Sequence, residues 1–343
     1  MTNQTTTARP PVRRQNTPKA PTWSLTGSGW LARIAKDPST PIAVALIVSC
    51  IVMSLLSSKF FTAANVTNIV TQSAIVGIAA VGATFVIITS GIDLAVGSTI
   101  ALSGMIGATL VHNGVDGFLG VLIIVVVASL IGAFNGFSIT VLGLAPFIVT
   151  LAVLGMGRGL TLQLSQGQSV YGLPPSLTWI GSGSLLGLQL PAILTVLVFV
   201  IGHLTLTRTT LGHQIFAVGG NREAARLSGI KDNRILFIVY IIAGLCAGLS
   251  SLILVGRLGS ATPTAGAGVE LQVIAAVVIG GASLFGGKGS MLGTFIGVLL
   301  IGVINNGLTL LNVSPFWVQF MQGAIIFIAV LLDAINSRRL NRR

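Results

Sequence analysis

Long apolar segments separated by short polar turns occupy the chain from residue 41 to residue 334. About 20 consecutive apolar residues cross the hydrocarbon core of a bilayer. The pattern therefore predicts an all-α polytopic membrane protein with about ten transmembrane helices. The predicted spans are residues 41–58, 67–89, 95–111, 118–141, 145–165, 190–207, 234–256, 269–285, 291–311 and 316–334.

The composition excludes a water-soluble globule. Only 8% of the residues are charged and 53% are hydrophobic, whereas soluble proteins carry about 25% charged residues. The 43 glycines lie within the apolar stretches, where glycine lets membrane helices approach closely. Cys50 and Cys246 also lie in apolar runs and form no metal or disulfide pattern.

The net charge of +12 acts mainly as a topology signal. Residues 1–40 are Thr/Pro-rich and basic, which predicts a disordered cytoplasmic tail. If the chain starts inside and crosses ten times, sixteen of the nineteen basic residues face the cytoplasm, including those of loop 208–233 and of the C-terminal residues 336–343. This positive-inside bias predicts a multi-pass protein of the cytoplasmic (inner) membrane with both termini in the cytoplasm, and it disfavours nucleic-acid binding.

Two similar junctions indicate an internal repeat. Asn135-Gly136 precedes Pro146-Phe147, and Asn306-Gly307 precedes Pro315-Phe316. In the predicted topology these junctions face opposite sides of the membrane, as in an inverted repeat that relates spans 2–5 to spans 7–10. The alternative is that Asn-Gly and Pro simply end and begin helices.

The sequence carries no pattern for catalysis or nucleotide binding. The run Gly286-Gly287-Lys288-Gly289-Ser290 lacks the glycine and Ser/Thr spacing of a phosphate-binding loop. The three histidines are scattered, and no paired carboxylate or Cys-x-x-Cys is present. We therefore expect a protein that is not an enzyme and has no cofactor or metal of its own.

The loop at 208–233 contains the signals of a short surface helix. Asn221 is a good N-cap, Glu223 follows in the first turn, where the helix dipole favours an acid, and Gly229 is a typical stop. The two-turn helix between them suits docking into a partner. Alternatively, the loop is only a solvated segment that sets the topology.

Several motifs carry a resemblance to a known family. Glu223-Ala224-Ala225-x3-Gly229 resembles the coupling-loop motif of ABC importer permeases, although the Leu-Pro that usually follows it is absent. Other stretches resemble the ribose/xylose/arabinose/galactoside branch of sugar permeases, over roughly residues 41–335. These stretches are Ser90-Gly91-Ile92-Asp93-Leu94-Ala95-Val96-Gly97-Ser98, Val218-Gly219-Gly220-Asn221, residues 275–284, 286–290 and 293–294, and Asn306-Gly307-Leu308.

The resemblance implies a homodimeric permease that imports a small sugar, ribose foremost, across the cytoplasmic membrane. A separate ATPase subunit, which carries the ATP and Mg, would dock on loop 208–233, and an extracytoplasmic sugar-binding protein would dock on the other face. The implied ATPase-coupling residues are Asn221, Arg222, Glu223, Ala224, Ala225, Arg226 and Gly229. The family's signature turn corresponds to Gly91, Asp93 and Gly97.

The repeat junctions supply candidates for the translocation pathway. The amides of Asn135, Asn305 and Asn306 can satisfy broken backbone or meet sugar hydroxyls, and the rings of Phe147 and Phe316 can face a sugar ring. Asn135, Phe147, Asn306 and Phe316 are the candidates for the pathway, and packing within the fold is the alternative role. Asp93, expected at the cytoplasmic turn between spans two and three, can likewise serve only to cap the third span. Arg158 is expected near the outer end of the fifth span, and Arg257 and Glu270 can pair across the outer loop between spans seven and eight.

Two other classes of protein remain as alternatives. An ion-coupled secondary transporter usually needs carboxylates inside the membrane, yet only seven acids occur and none falls in the middle of a predicted span. A passive channel would show a polar or charged filter ring, and a scaffold has no need of a docking helix. The ABC permease agrees best with the sequence.

Overall fold

The computed structural model describes residues 40–314, 316–324, 327–328 and 331. Residues 1–39 of the predicted tail 1–40 and the predicted C-terminal segment 336–343 lie outside these residues. The described part contains twelve named helices and one β-hairpin, in which β1 (Ser184–Leu185) pairs with antiparallel β2 (Leu188–Gln189). Helical residues also follow residue 315. The helices are α1 (Thr40–Leu56), α2 (Ala63–Ile88), α3 (Val96–His112), α4 (Gly117–Thr140), α5 (Pro146–Ser165), α6 (Pro175–Ser182), α7 (Leu190–Arg208), α8 (Thr210–Gly220), α9 (Arg222–Leu227), α10 (Asp232–Leu258), α11 (Val269–Ile279) and α12 (Met291–Leu310).

The helix lengths support the predicted class of fold. In the described residues, six helices, α2, α4, α5, α7, α10 and α12, are long and apolar enough to cross a membrane. Three shorter apolar helices, α1, α3 and α11, accompany them. Every predicted span overlaps helical residues of the structure. The all-α polytopic fold is therefore confirmed, while the number of crossings stays a prediction.

Local capping explains where several helices begin. The Thr62 hydroxyl accepts the amide N–H of Asn65 at the start of α2, and the Asp116 carboxylate accepts that of Phe118 at the start of α4. Ser290 caps α12 in the same way through the N–H of Gly293. These bonds satisfy amide groups that have no partner within their own helix.

Helices α2 and α10 form the centre of the bundle. In α2, 94% of the most apolar 18-residue stretch is buried. Helix α10 packs closely on α4 because glycines meet there: a Cβ atom on Gly132 would lie only 2.9 Å from the Cα atom of Gly244. The close approach expected of glycines in the apolar stretches is confirmed at this contact, where no side chain lies between the two backbones.

Helix α3 begins inside the protein. Residues 91–95 are not helical, and the carbonyl oxygen of Ile92 accepts a 3.1 Å hydrogen bond from Thr150, one turn into α5. The Ser98 hydroxyl lies 3.4 Å from the carbonyl oxygen of Val153, a turn further along α5. Asp93 is therefore buried, with 8% exposure, so the turn that was predicted between spans two and three lies within the protein.

Helix α11 begins beside α3. After α10 ends, residues 259–268 lead back into the bundle, and a Cβ atom on Gly266 would lie 2.6 Å from the carbonyl oxygen of Gly97. The first turns of the two short helices thus meet in the interior. Irregular backbone is tolerated at membrane depth only when protein surrounds it, and Gly91, Asp93, Ala95 and Gly266 of the two segments are buried.

Three segments differ from the prediction. The eighth predicted span, 269–285, ends as a helix at Ile279, because a run of glycines follows and Gly281 has a φ of +89°. Residues 210–220, expected as loop, form α8, whose first turn is capped by the Thr209 hydroxyl. Helix α6 and the hairpin occupy a stretch for which no element was predicted.

The contact between α4 and α10 gives a test of the fold. Gly244→Ala would place a methyl group 2.5 Å from the carbonyl oxygen of Ala128 and 3.0 Å from the Cα atom of Gly132. We expect the free energy of unfolding to fall by about 1–3 kcal/mol, as for other overpacked interiors. Thermal unfolding in detergent measures this loss. Gly155→Ala is the matched control, because nothing lies within 4 Å of a Cβ atom at that position; equal effects of both changes would contradict the packing argument.

Candidate coupling surface and pathway residues

The short helix predicted in loop 208–233 is present as α9. The Asn221 side-chain oxygen accepts the amide N–H of Ala224 at 3.0 Å. Glu223 lies in the first turn, and Gly229 follows the helix with a φ of +84°. Residues with a Cβ atom rarely adopt a positive φ angle such as the one at Gly229. The sequence signals therefore define both ends of this helix correctly.

A buried carboxylate fixes α9 to the next helix. Asp232, the first residue of α10, accepts hydrogen bonds from Arg222 at 2.5 Å and from Arg226 at 2.9 Å, and its own side chain is only 8% exposed. Arg222 also donates to the Asn233 side chain at 2.9 Å. The hydrogen bond to Asp232, followed by the charge of that carboxylate, raises the pKa of Arg226. The two arginines are therefore oriented by α10 rather than free in solvent.

Apolar side chains of α9 face in two directions. Ala225 is buried, with 4% exposure, and its carbonyl oxygen accepts the N–H of Ile230. Leu227 is 84% exposed, and Glu223 and Ala224 are exposed beside it. Ala225 thus anchors the helix, and the exposed part of residues 221–227 forms what we call the coupling surface.

Behind the coupling surface, three backbone segments touch one another. The end of α8 lies so close to the end of α2 that a Cβ atom on Gly219 would overlap the carbonyl oxygen of Ile88. That same oxygen accepts the N–H of Gly287 at 2.9 Å. The Ser90 hydroxyl lies 3.3 Å from the Gly219 oxygen and 3.0 Å from the Phe285 oxygen. The glycine-rich run that only partly resembles a phosphate loop therefore packs against α2 and α8.

The signature residues occupy crowded positions. A Cβ atom on Gly91 would lie 2.7 Å from the Tyr240 hydroxyl oxygen, and one on Gly97 would overlap the Glu270 carboxylate. The Asp93 carboxylate accepts the N–H of Ala95 at 2.8 Å, directly before α3. Its hydrogen bond thus orients the interior segment that leads into α3.

A cavity of about 500 Å³ lies next to these segments. It is bordered by the turn at Ser90, by Pro146 at the start of α5, and by Gly220 and Arg222 beside the coupling surface. A displacement of α9 would therefore change the shape of this cavity.

The four predicted pathway residues lie at two separate helix junctions. Asn135 is 1% exposed, and its side-chain oxygen has no partner among the described residues. Asn306 exchanges two hydrogen bonds with Asn65, of 2.8 and 2.9 Å. Phe147 and Phe316 are exposed by 49% and 83%. Their role in a pathway stays a prediction.

The charged residues expected near the outer face are arranged differently. Arg158 donates a 2.7 Å hydrogen bond to the carbonyl oxygen of Ala265, in the segment that precedes α11. Glu270 accepts the N–H of Gly268. No ion pair joins Glu270 to Arg257, because the Glu270 carboxylate faces Gly97 in the interior.

Two features of the site escaped prediction. One is Asp232, although an acid six residues after Arg226 and at the start of an apolar span is a usable signal. The other is a chain of amides that links three helical segments: Asn305 donates to Gln272 at 3.3 Å and accepts from Gln322 at 3.1 Å. Nothing in the sequence brings these three residues together. In the part of the chain that is described, no three His, Cys, Asp or Glu side chains are grouped as metal ligands.

Comparison with known proteins assigns the chain to a family. Residues 65–330 match the model of the branched-chain amino acid transport system / permease component family, and the chain belongs to this family. It is 45% identical over 294 residues to the ribose import permease protein RbsC of Bacillus subtilis (strain 168), covering 85% of this chain and 91% of the relative.

Further relatives agree with this assignment. The ribose import permease protein RbsC of Escherichia coli (strain K12) is 43% identical, covering 84% of this chain and 92% of the relative. The D-allose transport system permease protein AlsC of the same strain is 41% identical, covering 85% and 90%. No solved structure matches the chain significantly. The resemblance to ribose-type permeases is thereby confirmed.

The anchoring of α9 can be tested with Asp232→Asn. Loss of the carboxylate weakens the bonds from Arg222 and Arg226; as both arginines are about half exposed, we expect a cost of about 1 kcal/mol. Amide hydrogen exchange in residues 222–230 should then become roughly fivefold faster. Asp116→Asn, at the start of α4, is the control and should leave this segment unchanged. Unaltered exchange in Asp232→Asn would show that α9 is held by other contacts.

Proposed function

We propose that the chain is the membrane-spanning permease subunit of an ABC importer that carries ribose or a similar monosaccharide across the cytoplasmic membrane. The observation that carries this proposal is the 43–45% identity to ribose import permeases over most of both chains. The 41% identity to a D-allose permease supports a small neutral sugar as the class of substrate. The chain acts as a transport subunit without a cofactor, and ATP and Mg are bound by a separate ATPase.

The proposed arrangement has ten spans, both termini in the cytoplasm, and an inverted repeat. The helix lengths support the repeat: α2 and α10 have 26 and 27 residues, and each is followed by an irregular segment and a short helix that begins in the interior. In such repeats, broken helices meet near the middle of the membrane. A second copy of the permease, lipid around the apolar outer faces, and an extracytoplasmic sugar-binding protein complete the assembly.

The coupling surface is the proposed docking site of the ATPase. Exposed Leu227 and Ala224 offer apolar contact, and Glu223, Arg222 and Arg226 surround them with charge. Asp232 transmits a displacement of α9 to α10, and the contact between Gly219 and Ile88 transmits it to α2. Since α2 and α10 form the centre of the bundle, ATP-driven movement at the surface reaches the interior.

The proposed pathway contains Asn135, Phe147, Asn306 and Phe316. The unpartnered oxygen of Asn135 and the exposed rings of the two phenylalanines support this role. The pairing of Asn306 with Asn65 also gives that amide a packing role between α12 and α2. The two roles can be separated by experiment.

The coupling proposal is tested with Leu227→Asp in the complete transporter. A charge in the apolar part of the docking site should lower ATP-driven uptake of D-ribose about tenfold or more, because burying an unpaired carboxylate is costly. Uptake is measured in proteoliposomes that contain the ATPase and the binding protein.

Leu186→Asp provides the matched control, since Leu186 is 96% exposed at the tip of the hairpin and away from α9. Both variants should insert into membranes equally well. Wild-type uptake by Leu227→Asp would contradict docking at this surface, and failure of the unaltered transporter to import any monosaccharide would contradict the proposed function.

The role of Asn306 is tested by a double substitution. Asn306→Leu removes both hydrogen bonds between Asn306 and the buried Asn65, whose amide then keeps only its bond to the carbonyl oxygen of Phe60. We therefore expect a loss of about 1–3 kcal/mol in unfolding free energy. Asn65→Leu combined with Asn306→Leu removes both polar groups and should restore much of that stability. If the double variant is stable but transports D-ribose poorly, the amide acts in the pathway. If transport recovers along with stability, Asn306 serves packing alone.

A further inference from the structure

A polar cavity of about 580 Å³ lies between the start of α11, the end of α12 and the helical residues after 315. Its volume falls in the range of ligand pockets in proteins. Its lining includes no charged side chain, and its polar groups are amides and hydroxyls. We call it the amide cavity and define it by Gln272, Thr309, Asn312, Ser314, Gln319 and Gln322.

We infer that the amide cavity is a binding site for a neutral monosaccharide within a single permease subunit. The inference rests on the proposed import of a sugar and names a place where the chain holds it. Each carboxamide carries both hydrogen-bond donors and an acceptor, and each hydroxyl carries both as well. Such a lining matches the hydroxyls of a sugar, which also donate and accept.

The amide chain described above orients part of this lining before a ligand arrives. Asn305 is 6% exposed and bonds to Gln272 on one side and Gln322 on the other. These bonds use the oxygen of Gln272 and the amino group of Gln322. The amino group of Gln272 and the oxygen of Gln322 are not used in these bonds, and both side chains line the cavity. Asn305 thus orients one donor, the amino group of Gln272, and one acceptor, the oxygen of Gln322, towards a ligand.

Three other cavities differ in chemistry. The cavity bordered by Leu130, Phe134 and Met156 and the one bordered by Phe199, Val200 and Phe295 have mainly apolar linings. The cavity behind the coupling surface includes the charged Arg222. A neutral polyol is therefore accommodated best by the amide cavity, where it meets many hydrogen-bonding groups and no unpaired charge.

The first experiment measures uptake of D-ribose by the complete transporter in proteoliposomes. We expect Gln319→Leu and Gln272→Leu each to lower the maximal rate roughly five- to tenfold, since each removes one or two hydrogen bonds to the sugar. Binding-protein-stimulated ATP hydrolysis should stay close to that of the unaltered complex, because the coupling surface is intact. Gln319→Asn should recover part of the rate.

Gln163→Leu is the matched control, because Gln163 is an exposed glutamine of α5 that does not line the cavity. It should transport like the unaltered protein. Gln319 is itself exposed, so its substitution does not disturb packing. Unchanged D-ribose uptake in both cavity variants would overturn the inference while leaving the proposed function intact.

A second experiment measures occupancy directly. In the complete transporter with Cys50→Ala, Gln319→Cys places a thiol in the cavity for labelling with a maleimide. Millimolar D-ribose should slow this labelling at least twofold, whereas D-ribose 5-phosphate should not, because no cation lines the cavity to pair its charge. Gln163→Cys should be labelled at one rate throughout. If D-ribose leaves the labelling rate of Gln319→Cys unchanged, the inference is overturned. This holds even if uptake of every sugar is absent for other reasons.

Discussion

Backbone polar groups that lie at membrane depth must find partners within the protein, and the centre of this bundle is arranged around that requirement. Two irregular segments, residues 91–95 and 259–268, enter the interior and lead into α3 and α11. Helices α2, α5 and α10 contact the first segment, and the side chains of Thr150 and Arg158 donate hydrogen bonds to carbonyl groups of the two segments. Glycine at 97 and 266 allows the two segments to meet. The long helices thus pack around two segments that are not helical.

The same centre connects the surface to the interior. Helix α9 is bound to α10 by ion pairs to Asp232, and α8 rests on the end of α2 through Gly219. A displacement of α9 would therefore act on both central helices at once. Such a connection between surface and interior agrees with membership of a permease family.

Much of the fold was predictable because its signals are local. Apolar runs located the spans, and Asn221, Glu223 and Gly229 defined α9 from a few neighbouring residues. The features that were not predicted arise where distant segments meet. The burial of Asp93 depends on α5, and the amide chain through Asn305 depends on residues from three helical segments. Likewise, Asp232 is recognisable as an anchor only when α9 folds back onto α10. Contacts between residues that are distant in the chain leave no periodic pattern or motif by which a single sequence would reveal them.

The contact between Gly219 and Ile88 also has a mechanical meaning. Backbone rests on backbone there, so no rotatable side chain lies between the two helices to take up a displacement by changing its rotamer. The contact is therefore stiff, and a displacement of α8 would displace the end of α2 by nearly the same distance. It is also intolerant of variation, because every side chain larger than hydrogen at position 219 would push the end of α8 away from the end of α2.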